Sequence, residues 1–199
     1  MHPTRTLRSL CVYCGSSPGR LEAYTIAAQS LAKALVDRDI RLVYGGASVG
    51  IMGLLADRVL QLGGQAVGVM PELLVQKEAA HRQLTELHVT GSMHERKALM
   101  AELSDGFIAL PGGIGTLEEL FEIWTWAQLG LHDKPCGLLN VEGYFDALIA
   151  FLDHAVAERF VKEAQGARLL VAATPEALLD RIFDPEPPSV PTRISRTGA

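Results

Sequence analysis

The chain has 199 residues, 48% hydrophobic and 21% charged, which is enough apolar material for one buried core and the size of one ordinary domain. Lys+Arg 18 against Asp+Glu 23 leaves a formal charge of −5, which argues against a nucleic-acid or anionic-membrane binder that depends on bulk positive charge. No apolar run reaches the ~20 residues that cross a bilayer, and the apolar stretch within MHPTRTLRSLCVYCGSS is too short for a signal peptide, so a soluble, cytoplasmic protein is expected.

In chain order, LCVYCG (10–15) predicts the first strand. Cys11 and Cys14 form a C-x-x-C within it, the spacing of redox pairs. Residues three apart on a strand face opposite sides, however, so buried core thiols are expected instead. A helix follows at 21–37, then strand RLVYGG (41–46), helix 49–62, and strands QAVGVMP (65–71) and ELHVTG (86–91). Helix 93–104, strand GFIALPGG (106–113), helix 116–130, strand PCGLLNV (135–141), helix 144–158, strand ARLLVA (167–172) and helix 175–182 complete the series. Most strands are continuous apolar runs ending in Gly or Pro, as strands buried on both faces are. Their alternation with helices predicts an α/β, Rossmann-like three-layer sandwich around a parallel sheet of about seven strands. One domain is expected over 1–183. The last sixteen residues, 184–199, hold four prolines and almost nothing apolar, the composition of a disordered tail.

Such sheets bind ligands outside the carboxyl ends of their strands, where the strand order reverses. The strongest local signal there is Pro111-Gly112-Gly113-Ile114-Gly115-Thr116-Leu117-Glu118-Glu119, between a strand and a helix. Successive glycines let backbone N–H groups turn toward an anion, and a helix N-terminus adds favourable partial charge. A dinucleotide fingerprint would need Gly or Ala at 118, where Glu118 stands beside Glu119; carboxylates repel a pyrophosphate, so a single phosphate fits better than NAD or FAD. Thr116-x-x-Glu119 is also a legitimate capping box, and spacing alone does not choose between capping and chemistry.

In Gly91-Ser92-Met93-His94-Glu95-Arg96-Lys97, Ser92-x-x-Glu95 is a second capping box. Arg96 and Lys97 then lie early in a helix whose dipole disfavours them by about 0.3–1 kcal/mol each, which points to an anionic partner or to two solvated cations. Tyr44 to Gly53 contains G-A-S-V-G, formally a nucleophile elbow around Ser48, with Asp133 or Asp146 and His154 available as triad partners. No oxyanion segment accompanies it, and a glycine turn that brings backbone near a ligand is the better reading. The histidines show no metal-ligand spacing. Trp124 and Trp126 can serve a core or a subunit contact.

Together these loops resemble the LOG family, the cytokinin riboside 5′-monophosphate phosphoribohydrolases, often labelled lysine decarboxylases. The signature P-G-G-x-G-T-x-x-E is matched in full by Pro111 to Glu119, and S-M-H-x-R-K by Ser92 to Lys97. The turn Y-G-G-G-x-x-G-L-M-G is nearly matched at 44–53, with Ala47 in place of the third glycine and Ile114 where Tyr is frequent in the signature. The resemblance runs from about Leu10 to Ile182. It implies hydrolysis of the N-glycosidic bond of an adenosine 5′-monophosphate, N6-modified or not, to free base and ribose 5-phosphate. It further implies a homodimer or larger assembly with no metal and no cofactor. Arg96 and Glu119 are then catalytic, while Lys97, Gly113, Ile114, Gly115, Thr116, Leu117, Glu118, Thr125 and Glu78 line the substrate.

That chemistry suits the residues. Breaking C1′–N9 develops positive charge on the ribose and negative charge on the departing purine, and a carboxylate near C1′ stabilises the former and orients or deprotonates the attacking water. Two other readings stand beside it. The same fold and loop suffice for a nucleotide-binding module without catalysis. A pyridoxal-phosphate decarboxylase would need a Schiff-base lysine, for which Lys97 is the candidate.

Overall fold

The structure, a computed structural model, describes residues 7–75 and 80–183; the proline-rich tail lies outside the described residues. Seven strands, β1 Ser9–Tyr13, β2 Arg41–Tyr44, β3 Ala66–Pro71, β4 Glu86–Thr90, β5 Gly106–Ala109, β6 Cys136–Leu139 and β7 Leu169–Ala172, form one sheet. Their order is β4-β3-β2-β1-β5-β6-β7, and every neighbouring pair is parallel. The helices are α1 Glu22–Asp37, α2 Gly50–Gln61, α3 Glu72–Val75, α4 Met93–Glu102, α5 Ile114–Gln128, α6 Asp146–Ala157, α7 Glu163–Gly166 and α8 Pro175–Phe183, with a 3-10 turn at Val141–Gly143. This is the Rossmann-like three-layer α/β architecture that the alternating pattern predicts.

The apolar strand runs divide between two cores. Leu10, Val12 and Cys14 pack with Leu31 and Leu35 of α1, Leu55 and Val59 of α2, and Leu178 and Ile182 of α8. Cys11, Tyr13 and Phe107 face the other way, onto Met100 of α4, Leu120 and Trp124 of α5, and Leu148 and Leu152 of α6. Full burial of each such Leu or Ile contributes about 1.5–3 kcal/mol, so both layers are held mainly by the strands between them. The C-x-x-C is thereby split between opposite faces. Burial pushes both thiols well above their ordinary range, which leaves them inert rather than redox-active. Trp124 is a core residue, its Nε1–H donating to the Gln165 carbonyl at 3.3 Å, while Trp126 is half-buried on the same side.

The centre of the sheet is stitched by Asp105, just before β5. Its carboxylate accepts from the Arg8 N–H (2.8 Å), the Ser9 N–H (3.0 Å) and the Ser9 hydroxyl (3.1 Å). Burial would raise its pKa, but these three bonds outweigh it and hold the carboxyl below its usual value. At one margin β4 is an edge strand with exposed or half-exposed residues throughout, and it carries Glu86 and His88 in contact at 3.2 Å. Charge on an edge discourages further pairing. The short helices α3 and α7 have no periodic sequence signal and were not expected.

Candidate functional site

The chain lays down β1 to β4 outward in one direction and then returns to add β5 on the other side of β1, so the switch point lies between β1 and β5. Three glycine-bearing loops meet there. The Gly15 N–H after β1 donates to the Pro111 carbonyl after β5 at 3.3 Å. The Gly15 carbonyl in turn accepts from the Ile51 and Met52 N–H groups of α2 at 3.1 and 3.3 Å. Gly50 has φ +58° and presses on the Ser16 backbone, so a side chain at that position would force the loops apart. The left-handed residues of this turn are Gly46 and Gly50. Ser48 is not in that strained conformation, so the G-A-S-V-G segment is a loop-joining turn rather than a nucleophile elbow.

The loop after β5 leads into α5 two residues earlier than the pattern predicts. Gly113, extended at φ −90° and ψ −157°, is the N-cap, and no side chain caps the helix. The first N–H groups of α5 have no partner within the helix, and the positive end of its dipole is unmasked. Ideal side chains built at Gly113 and Gly115 would meet nothing within 4 Å, and Ile114 is 87% exposed, so this helix start opens onto free space. Thr116 is buried beneath the loop, its Oγ1 so close to Gly112 that a side chain there would collide with it. Thr116 therefore stands inside the first turn, and the capping box suggested by Thr116-x-x-Glu119 does not form. The Ser92-x-x-Glu95 segment does cap α4: Ser92 Oγ accepts from the Glu95 N–H at 3.2 Å, and the Glu95 carboxylate accepts from the Gly91 N–H at 2.8 Å.

Freed from capping, Glu119 turns to α4, where its Oε1 lies 3.1 Å from Arg96 Nη1. Both side chains are almost fully enclosed, at 11% and 9% exposure. Arg96 is held from several directions: its Nε donates to the Val69 carbonyl within β3 at 3.1 Å, and Met93 Sδ lies 3.9 Å from Nη1. Its Nη2 passes so close to Gly45 that any side chain on Gly45 would overlap it. Burial raises the pKa of Glu119, opposed chiefly by the Arg96 charge. Burial first, and the Glu119 charge after it, push Cys11, Tyr13 and Cys14 upward.

Lys97 points elsewhere, its Nζ 2.5 Å from Glu118 and 3.0 Å from Glu122 of α5. Both α4 cations thus have anionic partners within the chain, which offsets their unfavourable place near a helix start. Burial would lower the Lys97 pKa, but the two carboxylates outweigh it and raise it. A Schiff-base lysine needs a depressed pKa, so this environment is wrong for a pyridoxal-type lysine.

Glu118, Glu122 and Thr125 follow one another along one face of α5. Thr125 is exposed, its hydroxyl donating to the Phe121 carbonyl at 2.6 Å, and Leu117 is half-buried against the core. Glu78 lies outside the described residues. Among the described residues no three His, Cys, Asp or Glu side chains are grouped to hold a metal ion. Two contributors escape sequence reading: Gly45, hidden within a glycine motif, and Tyr144, whose hydroxyl donates to the Gly112 carbonyl at 2.5 Å from a turn after β6 with no motif of its own.

The family model described as "Possible lysine decarboxylase" matches residues 52–182. The cytokinin riboside 5′-monophosphate phosphoribohydrolase of Rhodococcoides fascians is 50% identical over 181 residues, covering 90% of this chain and 91% of that one. A protein of the same name from Arabidopsis thaliana is 49% identical over 175 residues, 88% of this chain and 77% of its own. Among solved structures, the molybdenum cofactor binding protein of Rippkaea orientalis superposes with a TM-score of 0.66 at 22% identity, covering 89% of this chain and 96% of that one, a likeness of fold alone. With half its residues shared with these phosphoribohydrolases along most of its length, the chain belongs to the LOG family.

Proposed function

We propose that this protein hydrolyses the N-glycosidic bond of adenosine 5′-monophosphates, including N6-modified ones, to release the free base and ribose 5-phosphate. The observation that carries this reading is the enclosed Arg96–Glu119 pair beside an uncapped, open helix N-terminus at the switch point of the sheet. In this reading the 5′-phosphate is held by the N–H groups of Gly113 to Thr116, with Lys97, Glu118, Thr125 and Glu78 lining the rest of the substrate. Anchoring the phosphate turns remote binding energy into alignment at C1′. The C1′–N9 electron pair leaves with the purine, and Arg96 offsets the charge that develops on the base. Glu119 stabilises the ribosyl cation and takes a proton from the water that attacks C1′. A carboxylate with a raised pKa is a better base for that step than an ordinary one.

A second copy of the chain is part of the proposal. Although α6 is largely apolar, none of its residues is buried. On the same side of the sheet Leu131, Phe151 and Phe160 are also exposed. An apolar face of this kind is what a self-complementary interface covers. A cytoplasmic location suits both a nucleotide substrate and the free cysteines.

The test is chromatography of products after incubation with AMP and, separately, N6-isopentenyl-AMP, with Glu119→Gln as control. Base and ribose 5-phosphate from the wild type alone are expected. Binding of the nucleotides without any base release would instead establish a non-catalytic module.

A further inference from the structure

The glycine loop has a built-in weakness. The peptide between Gly112 and Gly113 is flanked by two residues without side chains, so rotation of its plane meets little steric resistance. The plane matters, because in a trans peptide the carbonyl of Gly112 and the N–H of Gly113 point in opposite directions. Whatever fixes the carbonyl also aims the N–H.

Tyr144 fixes it. Its hydroxyl donates to the Gly112 carbonyl at 2.5 Å across 32 positions of sequence. The Cα of Gly112 is independently trapped, since a side chain on it would strike Thr116 and come within 2.9 Å of the Gly15 nitrogen. With Cα held and the carbonyl tethered, the Gly113 N–H is left facing away from Tyr144, and Gly113 itself borders open space.

The tether is itself rigid. The Tyr144 ring packs edge-to-face on Tyr24 at 5.6 Å and on Phe145 at 4.9 Å. The Tyr144 N–H bonds the Val141 carbonyl at 3.0 Å, and the Phe145 N–H bonds Asn140 Oδ1 at 2.7 Å. Asn140 is in turn held by Asp146 at 2.8 Å.

We infer that Tyr144 is a positioning residue for the phosphate: it locks the Gly112–Gly113 peptide so that the Gly113 N–H faces the anion. This rests on the reading that the start of α5 receives the 5′-phosphate. The test compares the wild type with Tyr144→Phe, which removes the hydroxyl and keeps both ring contacts. Calorimetry with ribose 5-phosphate reads the phosphate site without requiring turnover, and free adenine serves as a ligand lacking phosphate. Expected is a rise in the ribose 5-phosphate Kd of about 3- to 10-fold, the loss of one hydrogen bond. Adenine affinity stays unchanged, as does the melting temperature within a few degrees. With N6-isopentenyl-AMP, kcat/KM falls by the same factor. An unchanged ribose 5-phosphate Kd overturns the inference, and so does an equal loss for adenine, which marks general loosening. Ribose 5-phosphate that binds the wild type normally, with no base released from any nucleotide, defeats the hydrolase reading and leaves the Tyr144 comparison to be decided by the Kd values.

Discussion

Gly45→Ala separates the fold from the site more cleanly than any change to a charged residue. Gly45 is not in the left-handed region, so alanine suits its backbone. An ideal Cβ there would lie 2.6 Å from Met52 Cε and closer still to Arg96 Nη2, whereas an ordinary contact needs at least 3.4 Å. Both obstacles are the ends of flexible side chains, so the backbone can stay while the guanidinium moves. A displacement of roughly 1 Å is enough, by precedent, to lower turnover about 10²-fold. Arg96 is tethered at Nε by the Val69 carbonyl and at Nη1 by Glu119, so the shift must sacrifice one of them. A hydrogen bond to a charged group is worth about 1.5–3 kcal/mol, which puts the fall in kcat/KM at about 10- to 100-fold. The cost to stability is bounded separately: crowding costs about 1–3 kcal/mol and the stiffer unfolded chain returns about 0.4–1 kcal/mol, a net loss below about 2.6 kcal/mol. The melting temperature should then drop by less than about 8 °C. Steady-state base release and thermal unfolding of the same preparation check both numbers. A kcat/KM within twofold of wild type would refute the claim that Gly45 makes room for a functional guanidinium.

Glu119→Gln should lower kcat by about 10²–10⁴-fold. In the wild type the reactive form is the carboxylate, so kcat/KM should fall on acidification around a pKa above the ordinary 4.5, and this limb should be absent in the variant. Asp105→Asn should destabilise the protein by about 1 kcal/mol or less at pH 7, since water partly screens a half-buried carboxyl. The folded-state pKa of Asp105 is depressed, so its contribution is complete above the unfolded value of 3.8 and disappears as pH falls through the folded one. Melting curves of wild type and variant should therefore converge in acid; a constant gap contradicts the charge argument. Leu131→Asp combined with Phe151→Asp should convert a wild-type dimer to monomer in sedimentation velocity, and a monomeric wild type would remove the proposed interface.

Much of the fold is legible because burial on both faces leaves an unmistakable trace. LCVY, GFIA and CGLL are apolar without alternation, and each lies within an interior strand. Boundaries are less legible where glycine is involved. The helix after β5 starts at Ile114 because Gly113 caps it through its backbone and Gly115 is tolerated in the first turn. That shift of two residues removes Thr116 from the cap and frees Glu119. The pairing of Glu119 with Arg96 joins two motifs that periodicity cannot connect; shared membership in one family signature brings them together, and the distance between them comes only from the placement of α4 and α5 over the same side of the sheet. Tyr144 was invisible for a related reason. Its hydroxyl acts on a carbonyl 32 residues away, and nothing in V-E-G-Y-F announces a partner.

The strand order also sets a timetable for folding. β1 finds β2 within the first 44 residues, but its other neighbour is β5, and the Asp105 contacts that close this seam span 96 and 97 residues. Closing so long a loop is slow compared with the local β-α steps before it. During synthesis the segment β1 to β4 can assemble first, with β1 as a provisional edge whose five residues are all destined for burial. An unpaired apolar edge is a template for association with other chains until β5 arrives. Because the site straddles this same seam, a nascent chain acquires its binding loops and loses its most aggregation-prone edge in one event.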